Sequence, residues 1–458
     1  VTDPSLGFYE FFAGGGMARA GLGEPWRCLF ANDLDPMKAA AYRENFGGDH
    51  LVCGDVAKLT TADLPGHADL AWASFPCQDL SLAGDHAGLG EAASPAPTRS
   101  GTFWPFWSLM TQLRLEGRAP RVIVLENVLG VLTSRAGRAF AAIGEALAGA
   151  EYRFGALVVD AVRFVPQSRP RVFFVAVDPT LAPPPDLTRA AASDAWHPDA
   201  LVNACAGLSR SARERWVWWH LPPPADRLAT LADLIEPRPV GVRWHTSDET
   251  GGLLAMMTRL NRAKVVAAGR TGSRTVGCIY RRTRPEADGV RRQRAEVRFD
   301  GIAGCLRTPA GGSSRQTILI VEGEQVTSRL LSPREAARLM GLSDGYRMPP
   351  RYNDAYHVAG DGVCPPVVRY VAAHLVEPLI AAGRRSQSAF QAIHERQKQT
   401  GQHERQMDPD APRQLAVREV LEVHETSQHM DGRDRDDRRH ELQLEIAEVD
   451  VPHPLRLV

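Results

Sequence analysis

Lysine is nearly missing from this chain: Lys38, Lys58, Lys264 and Lys398 are four of its 54 Lys and Arg residues. A genomic codon bias produces such a skew, so arginine richness alone carries no functional weight. Net charge is missing too, because the 54 basic residues are matched by 54 acidic ones. Taken whole, that argues against binding nucleic acid through uniform basicity. The seven cysteines are scattered and contain no C-x-x-C pair, which argues against a disulfide framework or zinc ribbon and for a reducing compartment. No stretch reaches about 18 consecutive apolar residues, so no membrane-spanning helix is expected. The opening VTDPSLGFYEFF has no positive charge ahead of its apolar run, so no signal peptide is expected. The expectation is a soluble cytoplasmic protein with no metal site. Its 458 residues, 44% hydrophobic and 24% charged, suffice for two or three domains.

What is present first is alternation. Seven short apolar runs, GFYEFFA, RCLFAND, HLVCGDV, ADLAWASF, RVIVLEN, GALVVDAV and RVFFVAVD, punctuate residues 7–178. Helix-forming segments such as PMKAAAYRENF and RAGRAFAAIGEALAGA lie between them. Strand and helix in alternation predict an α/β fold with a doubly wound, mostly parallel sheet. Ligands of such sheets bind beyond the carboxyl ends of the strands.

Near residue 180 the alternation stops at proline-rich loops (LAPPPDL, HLPPPAD). From Arg243 to Arg307 there are 14 basic and 6 acidic residues, so whole-chain neutrality is a cancellation between regions. Within this segment RTGSRTVGCIYRRTR and TPAGGSSRQT read as loop material. Ser332-Pro333-Arg334-Glu335 predicts a helix start with a capping box. A further helix is predicted after Pro365-Pro366, with Val368, Val371, Leu375 and Leu379 on one stripe and Gly383 as its stop. Past residue 384 the chain is charged, repeats HERQ at 394–397 and 403–406, and is expected to be poorly ordered.

Polar groups follow several runs. Phe12-Ala13-Gly14-Gly15-Gly16 suits a nucleotide-like ligand at a helix start, and a tight turn would explain it equally well; Arg19 stands where a dinucleotide fingerprint has its third glycine. Asp33, 19 residues after Gly14, sits where a carboxylate holds ribose hydroxyls, and Asp55 follows the third run. Cys77 lies in Ser74-Phe75-Pro76-Cys77-Gln78, a proline-fixed loop where positive surroundings favour thiolate. Glu126 ends an apolar strand and is costly to bury alone; it is either a hydrogen-bonded structural acid or one that acts on substrate. In Gln167-Ser168-Arg169-Pro170-Arg171 the two arginines point the same way from an extended backbone, placed to hold a carbonyl oxygen and a phosphate.

In this order FFAGGG, NDLD, GDV, SFPCQ, ENV and PQSRPRV, followed by RLLSPREAARLMGL and GDGVCPPVVRYVAAHL, resemble the motif series of the DNA (cytosine-5-)-methyltransferases. The resemblance implies an S-adenosylmethionine-dependent methyltransferase fold with a smaller, irregular target-recognition domain. Residues 1–180 with about 345–384 would be catalytic, about 181–344 would recognise DNA, and 385–458 would be an extension outside the family core. S-adenosylmethionine would be held by Phe12, Gly14, Gly16, Asp33, Asp55, Pro76, Asp361 and Val363. Its methyl group would pass to C5 of a cytosine flipped out of a specific double-stranded site, through a covalent adduct of Cys77 at C6. Glu126 would act on N3, Arg171 would bind O2, and Arg169 would support the active-site loop or a phosphate. The implied partners are double-stranded DNA and a cognate restriction endonuclease acting on the same site, with the chain itself a monomer. Asp361 departs from the family, which more often has asparagine there, near the donor's amino acid end.

Three other readings are weaker. An RNA cytosine methyltransferase on the same fold would have a more compact recognition region. A silent DNA-binding relative would have no need of Cys77, Glu126 and both arginines. A nicotinamide dehydrogenase lacks support from the glycine turn.

Overall fold

The computed structural model describes residues 6–76, 99–285, 289–307 and 315–385. Cys77, the proline- and glycine-rich 308–314 and the charged extension lie outside the described residues.

Each of the seven apolar runs is a strand: β1 (Leu6–Phe11), β2 (Trp26–Asp33), β3 (Leu51–Cys53), β4 (Leu70–Ala73), β5 (Val122–Val128), β6 (Arg153–Asp160) and β7 (Pro170–Val177). They form one sheet in the order β3-β2-β1-β4-β5-β7-β6. The β1, β2, β3, β4 and β5 pairings are parallel, and β7 runs antiparallel to both β5 and β6. Loop length explains the reversal. Only residues 161–169 separate β6 from β7, too few for the crossover that parallel strands need.

Alternate residues along each strand feed opposite faces. Phe8, Trp72, Val124 and Phe173 belong to one core together with Met17 and Leu22 of α1 (Met17–Leu22). Tyr9, Ala71, Ile123 and Phe174 belong to the other, with side chains of α3 (Phe103–Leu115) and α4 (Arg138–Gly149); α2 (Pro36–Phe46) follows β2. The sheet is thus covered on both sides, an α/β architecture.

Beyond β7 lie a short ribbon, β8 (Thr188–Arg189) and β9 (Trp218–Trp219), and a separate antiparallel sheet. That sheet contains β10 (Thr275–Pro285), β11 (Arg291–Arg298), β12 (Thr317–Glu322) and β13 (Gln325–Leu330), in the order β11-β10-β12-β13. Ile279, Val297, Leu319 and Val321 give it a small core of its own with Leu253, Met257 and Val265 from the helices Ser247–Ala255 and Arg259–Arg270. The loop expected over RTGSRTVGCIYRRTR is therefore corrected: most of it is β10, whose inward Val276 and Cys278 are buried.

The capping box at Ser332 and Glu335 forms, starting the helix Pro333–Leu339. Glu335 is fully buried against Arg329, Nη2 to Oε1 at 2.6 Å. This helix shares the large core with β1 and β4 and with Val276 and Ile318 of the smaller sheet. The last helix starts at Pro365 and buries Val368, Val371, Leu375 and Leu379. It does not stop at Gly383 but continues through Arg385. A Cβ at Gly383 would lie 1.9 Å from Leu181, so close packing selects glycine there. The segment Tyr352–Arg385 is long and apolar enough to pass for a membrane span, yet 67% of its most apolar window is buried inside the protein.

Candidate active site

The carboxyl ends of β1, β2, β4 and β5 open into a cavity of about 450 Å³ that the turn Gly360–Val363 also lines. The chain order reverses between β1 and β4, the usual place for a crevice in such a sheet.

On the β1–β2 side, Phe12 adopts φ 56°, a left-handed conformation uncommon outside glycine. Gly14 follows with φ +56° and open space where a Cβ would be. Its N–H donates to Asp33 Oδ2 at 2.7 Å, and the Asp35 N–H donates to Oδ1 at 2.8 Å. Asp33 is thereby fixed at the cavity wall, with burial raising its pKa above the ordinary carboxylate value. Glu10 also lines the cavity and is 1% exposed. Its Oε1 accepts the Arg19 N–H at 3.3 Å, while Oε2 has no hydrogen-bond partner. Burial pushes its pKa up to about 8, against the opposing pull of Arg19.

On the β5–β7 side, Glu126 at 7% exposure is paired with Arg171, Nε to Oε1 at 3.1 Å. Because β7 is reversed, its first residues lie beside the last of β5, with Arg171 opposite Val128. Asn127 donates to the Phe75 carbonyl at 3.2 Å, anchoring the chain just before Pro76, which lines the cavity. Arg169 is 2% exposed. Its Nη1 donates to Leu306 O at 3.2 Å, and its Nη2 to Gly360 O at 2.7 Å and Gly362 O at 2.8 Å. Gln167 completes the joint, accepting from the Leu306 N–H at 2.9 Å and donating to Leu339 O at 2.8 Å. Arg169 is thus committed to the carbonyls of the Leu306 and Gly360–Gly362 segments. The Cys305 thiol lies 3.2 Å from Arg169 Nη1 and 3.9 Å from Arg171 Nη2. Burial pushes its pKa up, but these guanidiniums pull harder and leave it below an ordinary thiol.

A sequence model of the C-5 cytosine-specific DNA methylases matches residues 6–377. The chain belongs to this family. It is 26% identical over 380 residues to the type II methyltransferase M.NlaX of Neisseria lactamica, covering 82% of this chain and 98% of that one. It is also 26% identical to M.HhaI of Haemophilus parahaemolyticus, covering 80% and 93%. Among solved structures, S. pombe Dnmt2 methyltransferase shares the fold with a TM-score of 0.51 at 16% identity, over 82% of this chain and 99% of its own. The enzyme is a cytosine-C5 DNA methyltransferase, and the reaction requires a methyl donor.

Of the residues singled out in this DNA methylase, Phe12, Gly14, Asp33, Pro76, Glu126, Arg169, Arg171, Asp361 and Val363 all line the one cavity. Gly16 and Asp55 do not. A Cβ on Gly16 would strike Phe46 at 2.5 Å, so its glycine serves helix packing, and Asp55 accepts the Ala57 N–H at 3.0 Å as a turn cap. Cys77 lies outside the described residues, one residue past Pro76. Asn127, in the ENV motif, lines the cavity too, as do Glu10, Lys38 and Trp72, to which no motif assigned a role. Glu10 had a usable signal, because it is an acid inside an apolar run just as Glu126 is. Lys38 had one too, being among four lysines and five residues after Asp33.

Proposed function

We propose that this methylase transfers the methyl group of S-adenosylmethionine to C5 of a cytosine flipped out of a specific duplex DNA site, with Cys77 as the nucleophile. The observation that carries this reading is the shared cavity. It joins the Glu126–Arg171 pair and the strand end leading to Cys77 with the Gly14–Asp33 turn.

The cavity fits the donor. Glu10 Oε2 is a buried carboxyl oxygen left without a hydrogen-bond partner at its wall, and Asp33 stands where ribose hydroxyls would be received. Phe12, Gly14, Pro76, Asp361 and Val363 would enclose the rest, and Asp55 would reach the adenine by leaving its turn cap. When bound, the donor supplies an electrophilic methyl group.

The chain's own groups make cytosine able to accept it. C5 is a poor nucleophile, so the Cys77 thiolate adds to C6, forming a C–S bond and breaking the ring's conjugation. Glu126 donates a proton or hydrogen bond at N3, where negative charge would otherwise gather, and C5 gains carbanion character. Arg171 holds Glu126 and the base's O2. After C5 is methylated it loses its proton to a base, the electron pair re-forms the C5–C6 double bond, and Cys77 departs as thiolate. A stacked cytosine cannot be reached in this way, hence the flipping.

In this reading residues 1–180 with about 345–384 catalyse and about 181–344 recognise DNA, where the basic segment supplies phosphate contacts. A monomer acting on cytoplasmic DNA, with a restriction endonuclease sharing its site, completes the proposal.

The test uses duplex DNA carrying 5-fluorocytosine at sites that bisulfite sequencing shows to be methylated. With the donor present, fluorine at C5 blocks proton loss, so a covalent complex stable to denaturing electrophoresis is expected. Cys77→Ala should give no complex and no methylation while still binding the donor. Turnover retained by Cys77→Ala would assign the nucleophile elsewhere.

A further inference from the structure

Lys38 lies in the first turn of α2 and Asp361 ends the helix Tyr352–Asp361. They are 323 residues apart in the chain, yet Lys38 Nζ donates to Asp361 Oδ2 at 2.7 Å. Both line the cavity, with side chains 18% and 36% exposed. We infer that this ion pair is the receptor for the amino-acid end of the methyl donor, Lys38 taking its carboxylate and Asp361 its ammonium. The inference rests on S-adenosylmethionine being the donor.

The donor's amino-acid end carries one positive and one negative charge on a single carbon. A site for it must present both signs side by side. The carboxylates of Asp33, Asp35 and Asp361 line the β1–β2 side of the cavity beside the buried Glu10, and Lys38 is the lining cation ion-paired among them. Of the other lining cations, Arg171 is paired with Glu126, and Arg169, whose Nη2 reaches the turn beside Asp361, is committed there to the Gly360 and Gly362 carbonyls. A donor carboxylate entering the β1–β2 side therefore meets repulsion unless Lys38 receives it.

The two neighbouring acids are less suited to the ammonium. Both Asp33 oxygens already accept backbone N–H groups, and Asp35 caps α2 through the Met37 and Lys38 N–H groups. Asp361 offers a carboxylate whose described partner is the one side chain that would move to the ligand. Exchange of one internal ion pair for two with the ligand leaves no charge uncompensated, which is the condition for burying charge cheaply. It also accounts for Asp361 where the family more often has asparagine: the extra negative charge comes with its own lysine.

The alternative is a tether that merely holds α2 against the turn Gly360–Val363. Ligand dependence separates the two. Calorimetric titration of the full chain without DNA compares S-adenosylmethionine with 5′-methylthioadenosine, which lacks the amino-acid end. Lys38→Met should weaken S-adenosylmethionine roughly 10- to 100-fold, the loss of one charged hydrogen bond, and leave methylthioadenosine within about twofold. Lys38→Arg should restore much of the loss. Asp361→Asn alone should also weaken S-adenosylmethionine, by loss of the ammonium's partner, and leave methylthioadenosine within about twofold. Equal weakening of both ligands, or no weakening of either, overturns the assignment. Failure of the wild-type chain to bind S-adenosylmethionine would instead overturn the donor reading beneath it. Circular dichroism of each variant checks that the fold is intact.

Discussion

The Arg169 guanidinium donates to carbonyls of segments 137 and 191 residues further along the chain. A side chain with five fixed N–H donors can serve such a cluster, whereas the point charge of a lysine cannot. Arg169→Ala should lower unfolding stability by roughly 3 kcal/mol, because two buried carbonyls and one half-buried one lose their donor. Urea denaturation would measure this, and Arg169→Lys should recover less than half. Glu10 sets a second expectation. Its raised pKa means that the folded protein holds a proton which the unfolded chain releases near pH 4.5, so stability falls as pH rises from there through about 8. The melting temperature should decline across that interval, and Glu10→Gln should flatten the decline; an unaltered slope in the variant would assign it to other groups. At this scale the sequence shows which side chains are costly to bury, as with Glu126, but not their partners. Arg169 and Arg171 look alike in Gln167-Ser168-Arg169-Pro170-Arg171, and only tertiary packing makes one a loop clamp and the other the companion of Glu126.

Elements reveal themselves in proportion to the purity of their hydrophobic pattern. All seven strands of the large sheet could be marked because their runs are short, apolar and separated by helices. The reversal of β7 leaves no trace in composition and follows from the length of the β6–β7 connection. In the smaller sheet, arginines conceal β10. Arg281, Arg282 and Arg284 occupy strand positions, and charge at those positions erases the alternation that identifies a strand. The register sets Arg282 opposite Arg294, and Glu296 lies 3.8 Å from Arg282; in the proposed reading this hairpin supplies phosphate contacts. Replacing both arginines with glutamate should weaken DNA binding and reduce the dependence of log affinity on log salt by about one unit for each phosphate no longer neutralised. Fluorescence anisotropy across a salt series provides the measurement. An unchanged slope would mean that this hairpin faces away from DNA.

For the whole molecule, zero net charge conceals a division. The excess of positive charge between Arg243 and Arg307 falls largely on the smaller sheet and its helices, and the balancing acids lie elsewhere. The sequence permitted that partition to be counted but not the closure of the chain on itself. In that closure the last helix lies against the first. A Cβ on Gly21 would sit 2.5 Å from the Pro365 carbonyl, and the Trp26 indole donates to Glu377 at 2.8 Å across 351 residues. The consequence is one of time. At about 5–20 residues per second on the ribosome, α1 waits roughly 20–70 s for the helix that covers it. Until then the apolar faces of Met17 and Leu22 are open to solvent and to other chains. The nascent enzyme therefore depends on whatever shelters its first helix until its last one arrives.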